Sequence, residues 1–134
     1  MEVSKKDKRI CRELIHRALE KECERFVKSI QRLASKPIPL AVLNEPYRED
    51  NGRSVEGPWH KIYIQIYKRV RNYDRHVAHR YNNCYGSHQL NVIKELYLDK
   101  LVTDEDLKRF NQPLQDHFNE WIKLCKLYGE IDDD

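Results

Sequence analysis

Apolar residues recur at steps of three and four along most of this chain, and that period predicts amphipathic helices. The pattern is clearest over residues 59–81, WHKIYIQIYKRVRNYDRHVAHRY. Trp59, Ile62, Tyr63, Ile66, Val70, Tyr73, Val77 and Tyr81 trace one stripe there, expected to face a core. Ile62, Ile64 and Ile66 also alternate as in a strand. The alternation spans five residues and the stripe 23, so the helix is the better reading.

The same period predicts a first helix from Ser4 to Ala34. Cys11, Ile15, Leu19, Cys23, Phe26, Ile30 and Leu33 line one face, widened by Ile10, Leu14, Ala18 and Val27. Ser4 is placed to cap it, with Asp7 in the capping-box position three residues on. Pro37 and Pro39 stop it. Residues 37–43, PIPLAVL, read as an extended apolar stretch lying across the helices. A surface loop with a turn at Asn51-Gly52 follows, and Pro58 opens the second helix.

Asn82, Asn83 and Gly86 end that helix. Ser87 is placed to cap a third, carrying Leu90, Ile93, Leu96 and Tyr97. Thr103 with Asp106 caps a short helix bearing Leu107 and Phe110. Asn111 and Pro113 restart the chain into a last helix with Leu114, Phe118, Trp121, Cys125 and Tyr128 on its stripe and Ile122 beside it. Gly129 ends it. The pattern predicts an all-α fold, a four- to five-helix bundle with long first and second helices and a Pro-rich extended connection between them. A single helical domain over residues 1–134 is expected, with a connecting loop at 35–58 and an acidic tail at 130–134.

Charge changes the picture next. The net charge of +3 is unevenly spread. Residues 1–36 carry +5, residues 37–60 carry −2, residues 61–81 carry +5 and residues 82–134 carry −5. The two long helices are basic and the last third is acidic. Such faces can complement each other within the fold or across a dimer. The N-terminal MEVSKKDKRICREL is charged and reads as helix rather than as a secretory leader. No apolar run reaches membrane-spanning length. Cys11, Cys23, Cys84 and Cys125 form no CxxC pair, and reduced thiols in a cytoplasmic chain are expected.

Candidate chemistry gathers on the second helix. Arg71-Asn72-Tyr73-Asp74-Arg75-His76 has the form R-N-x3-H and resembles the signature of HEPN-type ribonucleases. That resemblance implies a compact helical domain with the motif at a dimer groove. Arg71, Asn72 and His76 would then be catalytic, with the Arg on phosphate and the His assisting attack of a ribose 2′-hydroxyl. Five residues of helix turn about 140°, however, so Arg71 and His76 do not share a face within one subunit.

His76, His79, Cys84 and His88 form a second constellation of zinc-competent residues, H-x2-H-x4-C-x3-H. Their spacing matches no zinc module, so a polar face beside a buried Cys is the leading reading. Lys61, Lys68, Arg71 and Arg75 form a basic ridge opposite the apolar stripe, joined by His76 and His79 as candidate binding residues. Stacking on nucleic acid needs exposed rings, and the stripe leaves only Tyr67 and Tyr85 for that role. No glycine-rich loop or nucleophile elbow is present.

The leading expectation is a non-enzymatic helical interaction or regulatory module. It self-associates, binds a protein or nucleic-acid partner, and needs no cofactor, metal or membrane. The alternatives are the HEPN-like ribonuclease and a basic nucleic-acid-binding helical protein.

Overall fold

The computed structural model describes residues 3–35, 49–50, 53–54, 57–82, 86 and 88–132. Among them the fold is all-α, as the apolar period predicts. Five helices appear in order: α1 (Lys5–Ala34), α2 (Pro58–Tyr81), α3 (His88–Leu98), α4 (Asp104–Leu107) and α5 (Gln112–Leu127). Between α1 and α2 lies a two-residue antiparallel ladder, β1 (Glu49–Asp50) with β2 (Arg53–Ser54), pairing Glu49 with Ser54 and Asp50 with Arg53. The expected turn at Asn51-Gly52, the extended 37–43 stretch and the Ser87 cap lie outside the described residues.

The chain divides into two compact units. Unit 1 holds Met1–Glu22 and Arg80–Asp134, and unit 2 holds Cys23–His79. Unit 1 contains the core. Ile10, Cys11, Leu14, Ile15 and Ala18 of α1 pack with Val92, Ile93 and Leu96 of α3, Leu107 of α4, and Leu114 and Phe118 of α5. Phe110 joins from the turn after α4, its ring 5.4 Å from that of Phe118. Trp121 is only half-buried, edge-on to Tyr97. Tyr128, expected on the α5 stripe, is exposed because the helix has already ended at Leu127.

Caps fix the element ends. The Asp7 N–H donates to Ser4 Oγ at 3.1 Å, so Ser4 caps α1. The Asp7 carboxylate, expected to close the box, instead accepts from the Asn111 N–H at 2.9 Å. It thereby satisfies a donor at the start of α5, where Asn111 makes no side-chain cap bond of its own. Thr103 and Asp106 form the complete capping box the sequence predicts. Arg17 adds a bidentate pair to the same carboxylate. Burial alone would raise the Asp106 carboxyl, but the Arg17 hydrogen bond and the Thr103 donors outweigh it and hold it below the usual range.

Unit 2 is built differently. Its described residues include two helix segments, the end of α1 and most of α2, which meet where Phe26 stacks on Tyr73 at 4.2 Å. The Tyr73 hydroxyl donates to Cys23 Sγ at 3.6 Å. Two helices cover only the strips that face each other. Among the described residues Leu33 is accordingly the one buried apolar side chain of this unit.

Candidate functional site

The α2 stripe departs most from its expected burial. Trp59 is 69% exposed, Tyr63 60% and Val70 45%. Ile62, Ile66, Tyr73 and Val77 are half-buried. The reason is geometric. At about 100° per residue the stripe is broader than the strip one neighbouring helix covers. One edge, with Tyr73, meets α1, and the other edge, with Trp59, Tyr63 and Val70, stays open. Val27, on the widening edge of the α1 face, is open too.

On the far side of α2 stand the candidate binding residues. Lys61, Lys68, Arg71, Arg75 and His79 are all exposed. Lys61, Gln65, Lys68, Asn72, Arg75 and His79 follow one another at alternating steps of four and three. They fall within about 80° of arc, centred opposite Trp59 and Val70. Arg69 and Arg71 flank this line, one on each side, about 80° away. Asp74, the one acid of the helix, lies outside the face. Among the described residues none of these six side chains takes a hydrogen-bond or ion-pair partner. Grouping by charge alone found the cations but passed over Gln65 and gave Asn72 only a catalytic part. The step of three and four from Lys61 was the signal that could have found both.

Arg71 and His76 turn toward different neighbours. The Arg71 guanidinium lies over the Tyr67 ring, 5.6 Å from its centroid. His76 is half-buried beside Tyr73, with ring centroids 5.9 Å apart. Asn72 stands on the exposed line with Lys68 and Arg75. Of the metal candidates, His76 and His79 lie on neighbouring turns of α2 and His88 is exposed at the start of α3. Cys84 lies outside the described residues. Among the described residues no cluster of three His, Cys, Asp or Glu side chains is placed to hold a metal. Of the two expected stacking platforms, Tyr67 is half-exposed and Tyr85 lies outside the described residues.

Arg80, counted with the cations of this helix in the sequence, is spent inside unit 1. It is 9% exposed and donates to Glu22 at 2.6 Å and to Asp99. The Tyr81 hydroxyl also donates to Glu22, at 2.6 Å. Burial, and then that bond to a carboxylate, push the Tyr81 hydroxyl well above the usual phenol range.

Unit 1 also holds a cleft of about 470 Å³, bordered by Tyr97, Lys100, Asp104, Glu130 and Asp132. Its Tyr97 hydroxyl already donates to Asp104 at 2.8 Å. No described helix is long and apolar enough to cross a membrane. No family model, curated protein or solved structure matches this chain.

Proposed function

We propose that this protein is a non-enzymatic helical interaction module that pairs with a second copy of itself through the open edge of α2. The observation that carries the reading is the exposure of Trp59, Tyr63 and Val70 in one line. Two helices cannot enclose a core, but two such pairs brought together make a four-helix bundle with an isologous contact.

The size of the edge sets the strength. Each ring presents about 150–250 Å² when fully open. At the exposures seen here, Trp59, Tyr63 and half-open Tyr67 offer roughly 350–400 Å² per protomer. A symmetric pair therefore buries roughly 800 Å² before flanking residues such as Val70 and Val27 are added, which lies at the low end for specific interfaces. A weak, micromolar dimer is the expected outcome.

Sedimentation equilibrium at 1–100 μM, on the order of that affinity, tests it. Wild-type protein should shift from 16.2 kDa toward twice that mass as concentration rises. Val70→Asp should hold it monomeric with an unchanged helical spectrum, because a charge at a half-exposed position is tolerated in the monomer and costly in a dry interface. A wild-type protein that stays monomeric throughout removes the reading.

A further inference from the structure

We infer that the opposite face of α2 binds the major groove of duplex DNA. The inference uses the side of α2 opposite Trp59 and Val70, which adjoins the self-pairing edge only where Arg71 lies over Tyr67, and stands or falls without that pairing.

Lys61, Gln65, Lys68, Asn72, Arg75 and His79 make a straight line of exposed side chains about 27 Å long. Every member can donate a hydrogen bond, and no carboxylate stands among them. A solvated helix face ordinarily mixes acids with bases, since i,i+4 pairs of opposite sign support the helix. Leaving Lys61, Lys68 and Arg75 without an opposite charge among the described residues costs self-repulsion, and an anionic partner would relieve it.

The mixture of groups narrows the partner. Cations alone would fit any polyanion. Amides on the same line add the donor–acceptor pairs that read base edges, Asn or Gln against adenine and Arg or Lys against guanine. The flanking Arg69 and Arg71 lie on either side, where phosphates of the two groove walls would stand. A B-form major groove admits a helix, whereas the deep, narrow major groove of duplex RNA does not. A membrane surface fits less well. The apolar edge of α2 free to insert is narrow, Trp59, Tyr63 and Val70, because Ile62, Ile66 and Val77 beside it are half-buried.

Fluorescence anisotropy with a labelled 20-base-pair duplex, about two helical turns, tests this. With about five cations engaged, log K should fall against log salt with a slope of about −4 to −5. Affinity should therefore drop several hundredfold between about 50 and 200 mM salt. Lys68→Gln, Arg71→Gln and Arg75→Gln, which lie on an exposed face and should keep the wild-type helical spectrum, should each flatten the slope by about 0.9. On a duplex enriched by selection, Gln65→Ala or Asn72→Ala should lose about tenfold discrimination against a scrambled sequence.

Absence of duplex binding at 50 mM salt, about the low end of that range, overturns the proposal. So does binding that all three charge removals leave unchanged. Equal affinity for heparin, anionic vesicles, single strands or duplex RNA overturns the assignment to the DNA groove. A monomeric wild type that still binds duplex would sink the self-pairing reading and leave this one intact.

Discussion

Two helices of unit 1 end in the same motif with different residues at its critical position. After α3, the Leu101 N–H donates to Leu96 C=O at 2.8 Å and the Lys100 N–H to Tyr97 C=O at 3.1 Å. After α5, the Glu130 N–H donates to Cys125 C=O at 2.8 Å and the Gly129 N–H to Lys126 C=O at 3.2 Å. Both are Schellman ends, and both need a left-handed residue. Gly129 supplies it with φ 77°, and Lys100 adopts it with φ 63°.

An L-residue pays about 1–2 kcal/mol for that conformation. Glycine pays none of it but loses about 0.5–1 kcal/mol more backbone entropy on folding. The Lys100 side chain is exposed and without an ion pair among the described residues, so little is lost with it. Lys100→Gly should therefore stabilise the fold by about 0.5–1 kcal/mol. For a chain of 134 residues that is about 2–4 °C in melting temperature.

The reciprocal change supplies the control. A Cβ built on Gly129 meets nothing within 4 Å, so Gly129→Ala carries only the backbone penalty. It should cost about 1 kcal/mol. Thermal melts followed by Trp121 fluorescence, in a Trp59→Phe background, would read unit 1 directly. A Lys100→Gly variant that melts lower than its parent, or a Gly129→Ala variant that melts higher, would refute the reasoning.

Phe118 is fully buried against Phe110, and Phe118→Ala should cost about 3–5 kcal/mol by urea denaturation. The Asp106 carboxyl is held below its usual range in the folded protein, so the stability it supplies is complete above its unfolded value of about 3.9 and fades as pH falls through its folded value. Asp106→Asn should flatten the pH dependence of urea stability below about pH 4, and an unchanged acid limb would count against the Arg17 pairing.

The sequence disclosed the helices and their ends more fully than their partners. Local chemistry decides where a helix starts and stops, and Pro58, Thr103 with Asp106, and Gly129 each act within a few residues of themselves. The Asp7 carboxylate shows the limit. Its spacing from Ser4 is right for a local box, yet it serves a backbone N–H 104 residues away, and no local rule anticipates that. The apolar stripe of α2 overstates its burial for a related reason. A stripe states that a face is apolar, but only the neighbours packed on it decide how much of it is covered, and among the described residues unit 2 supplies one helix. Arg80 contributes to the positive charge of residues 61–81, whereas Glu22 and Asp99, 58 and 19 residues away, decide that it is structural.

The same contrast separates α2 from the core unit. A polar side chain can act on a ligand only with bonding capacity that folding has not used. In unit 1 folding has used much of it: Arg17 holds Asp106, Arg80 holds Glu22 and Asp99, Arg109 holds Glu13, and Asp7 holds Asn111. Among its described residues no buried side-chain donor or acceptor is left over. Among the described residues Lys61, Lys68 and Arg75 take no ion-pair or hydrogen-bond partner, and Trp59 and Tyr63 leave most of their surface in water. Both departures cost stability or solubility in the isolated chain. They lie on opposite sides of one helix, so a single partner of one chemistry cannot relieve both. A second copy suits the rings and an anionic groove suits the cations, which is why the two surfaces call for separate tests.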